Sequence, residues 1–590
     1  MQRHIPKHLI DCVSRHPGPS LVDITANMRP ESECMTPDSM GAQKSTRLSF
    51  VQLLARKMIE GRWRLEKDLV SFDESGRGRI IYQLDLAGYR MTYIARSSPP
   101  ISAEDAIANE NLGRRVGTNR HIWGTLFLGQ VGAERIAEEF RSIETRDMES
   151  LRARSDIIGW TPGSRSARIF DEVVDALSSG HQPSLATVRK SGYLIRNGGY
   201  IAAGRYGTLS YEGLPDDHPL KPPYIADLFG ILMLREVGLD LVNGMAAARS
   251  AQAATLSDIL ASYFGVGNAS GLGMCVTLQR WTHWVSTWML VREFCLARAR
   301  LMRISDDPSK QKRFHELLNR AISYYETLTP DSEEFVVPHA QIASNLRRIK
   351  SSMESSSKPF EGTFWGDIAD SAKASFDGET AELINALLIE LFPEFADDVA
   401  EYIPEGMVFR RDYSPEFTVQ QFRRDFLSHY KCELLQDLGN SDVRRHFWYH
   451  SEDNGEQRRG ERVVDPHENY ESFIDHLGAI QRLAATLTAY DDETPMAIVV
   501  ADHPDLAFVV SRVETMAHES YREIQGSLLH KDFTPAKLIR WYLTVIGLDS
   551  TYPLSSRWVP GVLFQGLPLW SEIAAGSNRD WRLASTARFS

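Results

Sequence analysis

The sequence predicts a mainly α-helical, multi-helix globular protein with a small α+β unit before residue 150. Three observations carry that expectation. From about residue 165 onward, apolar residues recur at three- and four-residue spacing through segment after segment. Ahead of it, Arg79–Leu86 and Tyr89–Arg96 alternate in polarity on either side of Ala87-Gly88, the pattern of a two-residue β-hairpin. A third apolar run, Ile122–Leu128, reads as one more strand. At 590 residues the chain is too long for one ordinary core.

In chain order, residues 1–45 are rich in Pro, Ser, Met and charge without a sustained period, so a poorly ordered N-terminal segment is expected. Residues 46–150 form the small α+β unit, opening with a helix after Ser49 and closing with one around Ala133–Ile143, or else an irregular β appendage. Residues 151–355 read as a helical domain. Segment 166–179 places Ile169, Val173, Val174 and Leu177 at helical spacing, and 183–196 continues the pattern until Asn197-Gly198-Gly199 stops it. Pro222-Pro223 opens a long helix to about Arg249, and a further helix runs from Thr255 or Ser257 to Gly265. After the glycine-rich stretch, a helix of about thirty residues carries Trp281, Trp284 and Trp288 on one face, a core or helix-contact stripe.

Helices are expected at 308–328, 338–354, 363–376 and 378–402, with the Ser-rich patch Ser351–Lys358 as the linker candidate. Residues 356–590 then form a second helical region, helical over 417–438, 466–490, 496–525 and 535–546, with an irregular C-terminal wrap.

Composition narrows the function. The net charge of −12, with no basic block, speaks against nucleic acid as a partner. Five scattered cysteines (Cys12, Cys34, Cys275, Cys295 and Cys432) with no CxxC pair suit free thiols in a reducing compartment. The N-terminus lacks the apolar core of a signal peptide, and the most apolar runs, 223–243 and 272–297, are interrupted by Asp227, Arg235, Glu236, Arg280 and Arg292. A cytoplasmic protein with no membrane partner is expected, and self-association into a homo-oligomer stays open.

No cofactor is assigned, because no nucleotide loop, nucleophile elbow, HExxH or EF-hand spacing is present. Gly265-Val-Gly267-Asn268-Ala-Ser270-Gly271 lacks the third fingerprint glycine, and its left flank reads as helix where a dinucleotide fold needs a strand. As a turn ahead of a helix N-terminus it offers free N–H groups to an anion, with Gly267, Asn268, Ser270 and Gly271 as contacts and Cys275 in the first turn. The alternative is a close helix–helix corner.

A second glycine-rich turn carries Arg196, Asn197, Arg205 and Tyr206. Guanidinium groups there suit carboxylate or phosphate, or pair structurally with Asp216, Asp217, Glu236 or Asp240. In Arg444–Arg462, His446 and His450 are the acid/base candidates of a charged loop, with no metal assigned. These residues point to an enzyme acting on a small anionic metabolite by proton-transfer chemistry in an interhelical cleft, of lyase, isomerase or hydrolase type. The alternative is a non-catalytic helical scaffold.

Overall fold

A computed structural model describes residues 5–98, 122–145, 156–165, 167–190, 195–197, 201–202, 214–215, 217–268, 282–327, 336–355, 362–403, 416–440, 473–518, 535–547, 554 and 561–575. The protein is mainly α-helical with a small antiparallel sheet in its N-terminal part. It forms two compact units, and neither is continuous in sequence. A sheet unit takes residues 50–273 and 560–581, and a helical unit takes 1–49, 274–559 and 582–590. The divisions fall at those points and not at the Ser-rich patch, part of which continues the helix Val336–Ser355.

In the sheet unit, β1 (Arg64–Phe72), β2 (Gly78–Leu86), β3 (Tyr89–Ser97), β4 (Ile122–Leu128) and β5 (Ile157–Arg165) pair antiparallel in succession. The β2–β3 turn is the two-residue hairpin the alternation predicts. Ala87 and Gly88 adopt φ of 57° and 95°, and Asp85 Oδ1 accepts from the Gly88 N–H at 2.7 Å. β1 and β5 were not expected. β1 is an exposed edge strand with no polarity alternation, and β5 carries Gly159, Pro162 and Gly163, which read as turn residues.

One face of the sheet packs Ile94, Trp123, Phe127, Ile157 and Trp160 against Ile136 and Phe140 of the helix Ala133–Thr145. The opposite face carries Tyr82 and Tyr93 and meets the helix Pro223–Arg249, whose first turn holds Pro223 where no N–H is needed. Gly124 explains itself here. A Cβ on it would lie 1.9 Å from Tyr93 Oη and 2.3 Å from Thr161 Oγ1, so the 2.5 Å bond between those hydroxyls crosses β4 where only glycine fits.

The helical unit corrects the expectation of a poorly ordered N-terminus. Lys7–Arg15, Leu21–Ala26, Glu31–Cys34 and Pro37–Ala42 are helices; Ser20 closes a capping box on the second, and Thr36 caps the fourth. Leu9, Cys12, Ile24, Cys34 and Met40 are buried. The physical reason is charge. Lys44 pairs with Glu379, Arg47 with Glu390 and Asp397, and Arg29 with Glu382, so basic residues of this part of the chain bind acidic residues on the helices Gly378–Glu390 and Pro393–Ala400.

The long helices at Thr282–Leu301, Pro308–Thr327, Val336–Ser355 and Trp365–Ser375 follow the sequence expectation. Trp288 is fully buried and donates to the Leu48 carbonyl at 3.2 Å, the core role read from its stripe. Where one long helix was expected over 378–402, the chain forms Gly378–Glu390 and Pro393–Ala400, because Pro393 cannot continue a helix and instead starts the next. Pro504 likewise ends the helix Met496–Asp502 before Ala507–His518.

Candidate functional site

The two glycine-rich segments enter the sheet. The expected helix 183–196 ends at Lys190, and β6 (Ile195–Asn197) pairs antiparallel with β5. Val266–Asn268 forms β8, parallel to β6, and β9 (Gly561–Leu563) pairs antiparallel with β8. The start of the Gly265 stretch is therefore a strand and not a helix-joining turn. The helix before it is the short Asp258–Ser262, and no strand precedes Gly265 over residues 217–265, so the left flank and the missing glycine both still argue against a dinucleotide loop. Gly265 has a packing reason: a Cβ there would meet Val562 Cγ1 at 2.4 Å and the Leu563 carbonyl at 3.0 Å, closing the approach of β9.

The parallel register sets Arg196 beside Gly267 and Asn197 beside Asn268. Four sequence-predicted residues from segments far apart in the chain thus stand abreast at the C-terminal ends of two parallel strands. They do not share one face. Gly163 of β5 pairs with Asn197, so by two-residue alternation Asn197 and Asn268 occupy positions on the face that carries Thr161, while Arg196 and Gly267 belong to the other. Beyond the described β6, β7 (Ile201–Ala202) pairs antiparallel with β5, with Ile201 opposite Trp160. Arg205, Tyr206, Ser270, Gly271, Cys275, His446 and His450 lie outside the described residues.

Arg235 fixes the backbone around β8. Its guanidinium, fully buried in the middle of the helix Pro223–Arg249, donates to the carbonyls of Ala261, Ser262, Phe264, Leu567 and Pro568 at 2.8–3.3 Å. One side chain ties the segment entering β8 to the segment leaving β9. A buried guanidinium is tolerable only with its donors satisfied, and here backbone carbonyls supply the acceptors.

Next to it lies a polar track that sequence reading did not single out as a site. Tyr82 Oη and Lys67 Nζ each donate to Asp240 at 2.5 Å, on opposite carboxylate oxygens. Asp240 thus accepts from Lys67 and Tyr82, and Asp217 accepts from Tyr89. Tyr93 Oη and Thr161 Oγ1 continue the track toward β6. Burial, with Asp240 and Glu236 nearby, pushes the Tyr82 phenol well up, so it stays a donor at neutral pH.

Glu236 stands one turn before Asp240, 6% exposed, and its Oε1 is buried with no hydrogen-bond partner. Burial raises its carboxyl above the ordinary carboxylate range, against the lowering effect of Arg235 and Lys67. The signal for these residues was present in the sequence as charges interrupting an apolar run, which a helix buried on all sides retains only for a reason.

The helical unit holds a second polar cluster of different character. Arg29 grips Glu293 with two bonds of 2.7 and 2.8 Å and reaches Glu382 at 2.5 Å; Arg292 bonds Glu293 at 2.7 Å and Glu382 at 2.9 Å. Two cations and two anions close a ring. Despite burial, the two guanidinium groups hold Glu293 below its ordinary range and Glu382 at about 2. Cys34 nearby has its thiol pushed far up by burial, which leaves it a poor nucleophile. Each cluster leaves one buried atom without a hydrogen-bond partner, Arg292 Nε in the ring and Glu236 Oε1 in the track.

Among the described residues, no group of three or more His, Cys, Asp or Glu side chains is placed to hold a metal ion, and no helix is long and apolar enough to cross a membrane. No protein-family model, curated protein or solved structure matches the chain.

Proposed function

We propose that the protein is a cytoplasmic enzyme that binds a small carboxylate or phosphate metabolite at the C-terminal ends of β6 and β8 and moves a proton on it, in the manner of a lyase, isomerase or hydrolase. The observation that carries this reading is the parallel register setting Arg196-Asn197 beside Gly267-Asn268. Parallel strand ends leave ladder groups free to meet a ligand, and crevices of this kind are where parallel sheets bind small molecules. In this reading Asn197 and Asn268 supply the amide donors and Arg196 the charge. On the same reading, the sheet and the helix Pro223–Arg249, which packs on it, flank the bound anion.

The test is a thermal-shift titration with inorganic phosphate and with succinate. Ligand that binds only the native state raises Tm by linkage, about 2.7 kcal/mol of stabilisation at a hundredfold excess over Kd. Wild type is expected to show the rise, and Asn268→Ala and Asn197→Ala to lose it while melting unchanged without ligand. A further loss in Arg196→Ala would assign the charge to that guanidinium. A flat response of wild type to both anions would end the reading.

The competing reading, a non-catalytic helical scaffold, draws on the closed ring of Arg29, Glu293, Arg292 and Glu382, whose four charges pair with one another. It expects no ligand response and a stability effect from every site variant.

A further inference from the structure

Among the described residues, three other than glycine hold a positive φ: Arg62 at 48°, Ala87 at 57° and Phe564 at 62°. Two have local reasons. Ala87 lies in the two-residue β2–β3 turn. Arg62 takes the left-handed position that closes the helix Phe50–Glu60 in a Schellman motif, with Trp63 N–H on the Met58 carbonyl and Arg62 N–H on that of Ile59. Phe564 has no such reason. It follows β9 and opens the turn that Leu567 N–H closes on its carbonyl, and the first position of a turn asks for no left-handed residue. A bulky side chain with this φ persists only where its surroundings hold it, and such residues collect at clamps and switches.

The forces on that residue can be named. Leu563 and Phe564 are buried, and their burial draws the segment in. β9 ends the sheet with β8 as its partner, Gln565 Nε2 donates to the Tyr263 carbonyl at 3.4 Å, and Gly566 N–H to that of Ser262 at 2.8 Å. Gly566 then turns the chain with φ of 78° and open space where a Cβ would stand. Beyond it the chain is anchored, for Arg235 takes the Leu567 and Pro568 carbonyls and Trp570 meets Phe229. A three-residue edge strand, a strained residue and a glycine hinge thus lie in succession ahead of a fixed point.

We propose that residues 561–565 form a strap that peels from β8 as a unit about Gly566, while the segment from Leu567 onward stays anchored. Release lets Phe564 relax to an extended backbone. It also bares the outer edge of β8, whose Val266, Gly267 and Asn268 pair with Leu563, Val562 and Gly561 in the closed state. Burial of two apolar side chains closes the strap and the φ at Phe564 opposes it, which places the strap at the low end of the local stabilities of the sheet unit. The strap stands independently of the anion reading, since it decides only whether β8 has one strand beside it or two.

The test is hydrogen exchange by mass spectrometry on the full chain, in wild type, Phe564→Ala and Phe564→Gly. In wild type, residues 561–565 and the β8 amides that bond β9 are expected to exchange through one common opening, about a hundredfold or more faster than β2 and β3. Both variants lose the ring, but only glycine holds the left-handed φ without steric cost. Phe564→Gly should therefore exchange about fivefold more slowly than Phe564→Ala over residues 561–565. Wild-type protection of 561–565 equal to that of β2 and β3 overturns the inference, and that measurement needs no variant to fold. Equal exchange in the two variants overturns it as well, because the φ at Phe564 would then oppose nothing.

Discussion

Glu382 lies between Arg29 and Arg292 with almost no access to water, so replacing it strands two guanidinium groups at once. Glu382→Gln is expected to cost about 3–5 kcal/mol, the usual penalty for breaking a buried ion pair from one side. The pH dependence has a definite sign. The folded carboxyl titrates at about 2, below its ordinary 4.5, so its contribution is complete above pH 4.5 and drains away as pH falls toward 2. Urea unfolding across that window should show a steep acid loss in wild type and a shallower one in the variant. Gly124→Ala tests a different residue-scale constraint. The new methyl would collide with the Tyr93 and Thr161 hydroxyls, an overpacking cost of about 1–3 kcal/mol, and adding Tyr93→Phe should recover part of it because the nearest atom is removed. Equal stability of Gly124→Ala and wild type would mean that β4 moves aside freely. Neither constraint was legible in full. A glycine inside a strand pattern hints at close approach, but the Arg29–Glu382 bond spans 353 positions and leaves no local mark on either residue.

Helices in this chain announce themselves because their code is local. Pro223 at a helix start, Ser257 as an N-cap and the β2–β3 turn at Ala87-Gly88 are readable within a few residues; Thr36 as a cap and Pro393 as a break carry the same local code, but sit where periodicity alone suggests no order or one unbroken helix. The strands that build the candidate site are not readable in that way. β6, β8 and β9 have three residues each, too short to carry a period, and their pairing is decided by segments distant in sequence. Arg235 substitutes for that missing local code by holding five carbonyls around β8 and β9. Arg235→Met keeps the apolar volume and removes every donor. The expected outcome is a loss of about 3 kcal/mol, with amide exchange accelerated first at residues 261–268 and 561–568 and little changed in β2 and β3. Uniform acceleration throughout the sheet unit would instead assign Arg235 to the global core.

At the scale of the whole molecule, each compact unit is closed by a piece of chain remote from its bulk. The sheet unit depends on residues 560–581, which supply β9, the Leu567 and Pro568 carbonyls for Arg235, and Trp570, whose ring meets Phe229, itself edge-on to Trp63. A mainly helical chain with a small early sheet was visible in the periodicity, but this closure was not, because the tail shows only Gly and Pro where its partners are fixed hundreds of residues earlier. The dependence makes a prediction about a chain ended at Val559. The β1–β4 meander keeps all its own ladder pairs, and Ile94, Trp123, Phe127, Ile136 and Phe140 still form their cluster, so amide protection there should persist. β8 loses one of its two neighbours, Arg235 loses two of five acceptors, and Phe229 loses an aromatic partner. Residues 261–268 and the middle of the helix Pro223–Arg249 should therefore exchange fast, and anion binding at Asn197 and Asn268 should vanish with them. Hydrogen exchange by mass spectrometry on the two chains separates this outcome from its opposite. Protection of 261–268 that survived the truncation would show β8 to be held by β6 and the helix alone, and would remove the C-terminal segment from the support of the site.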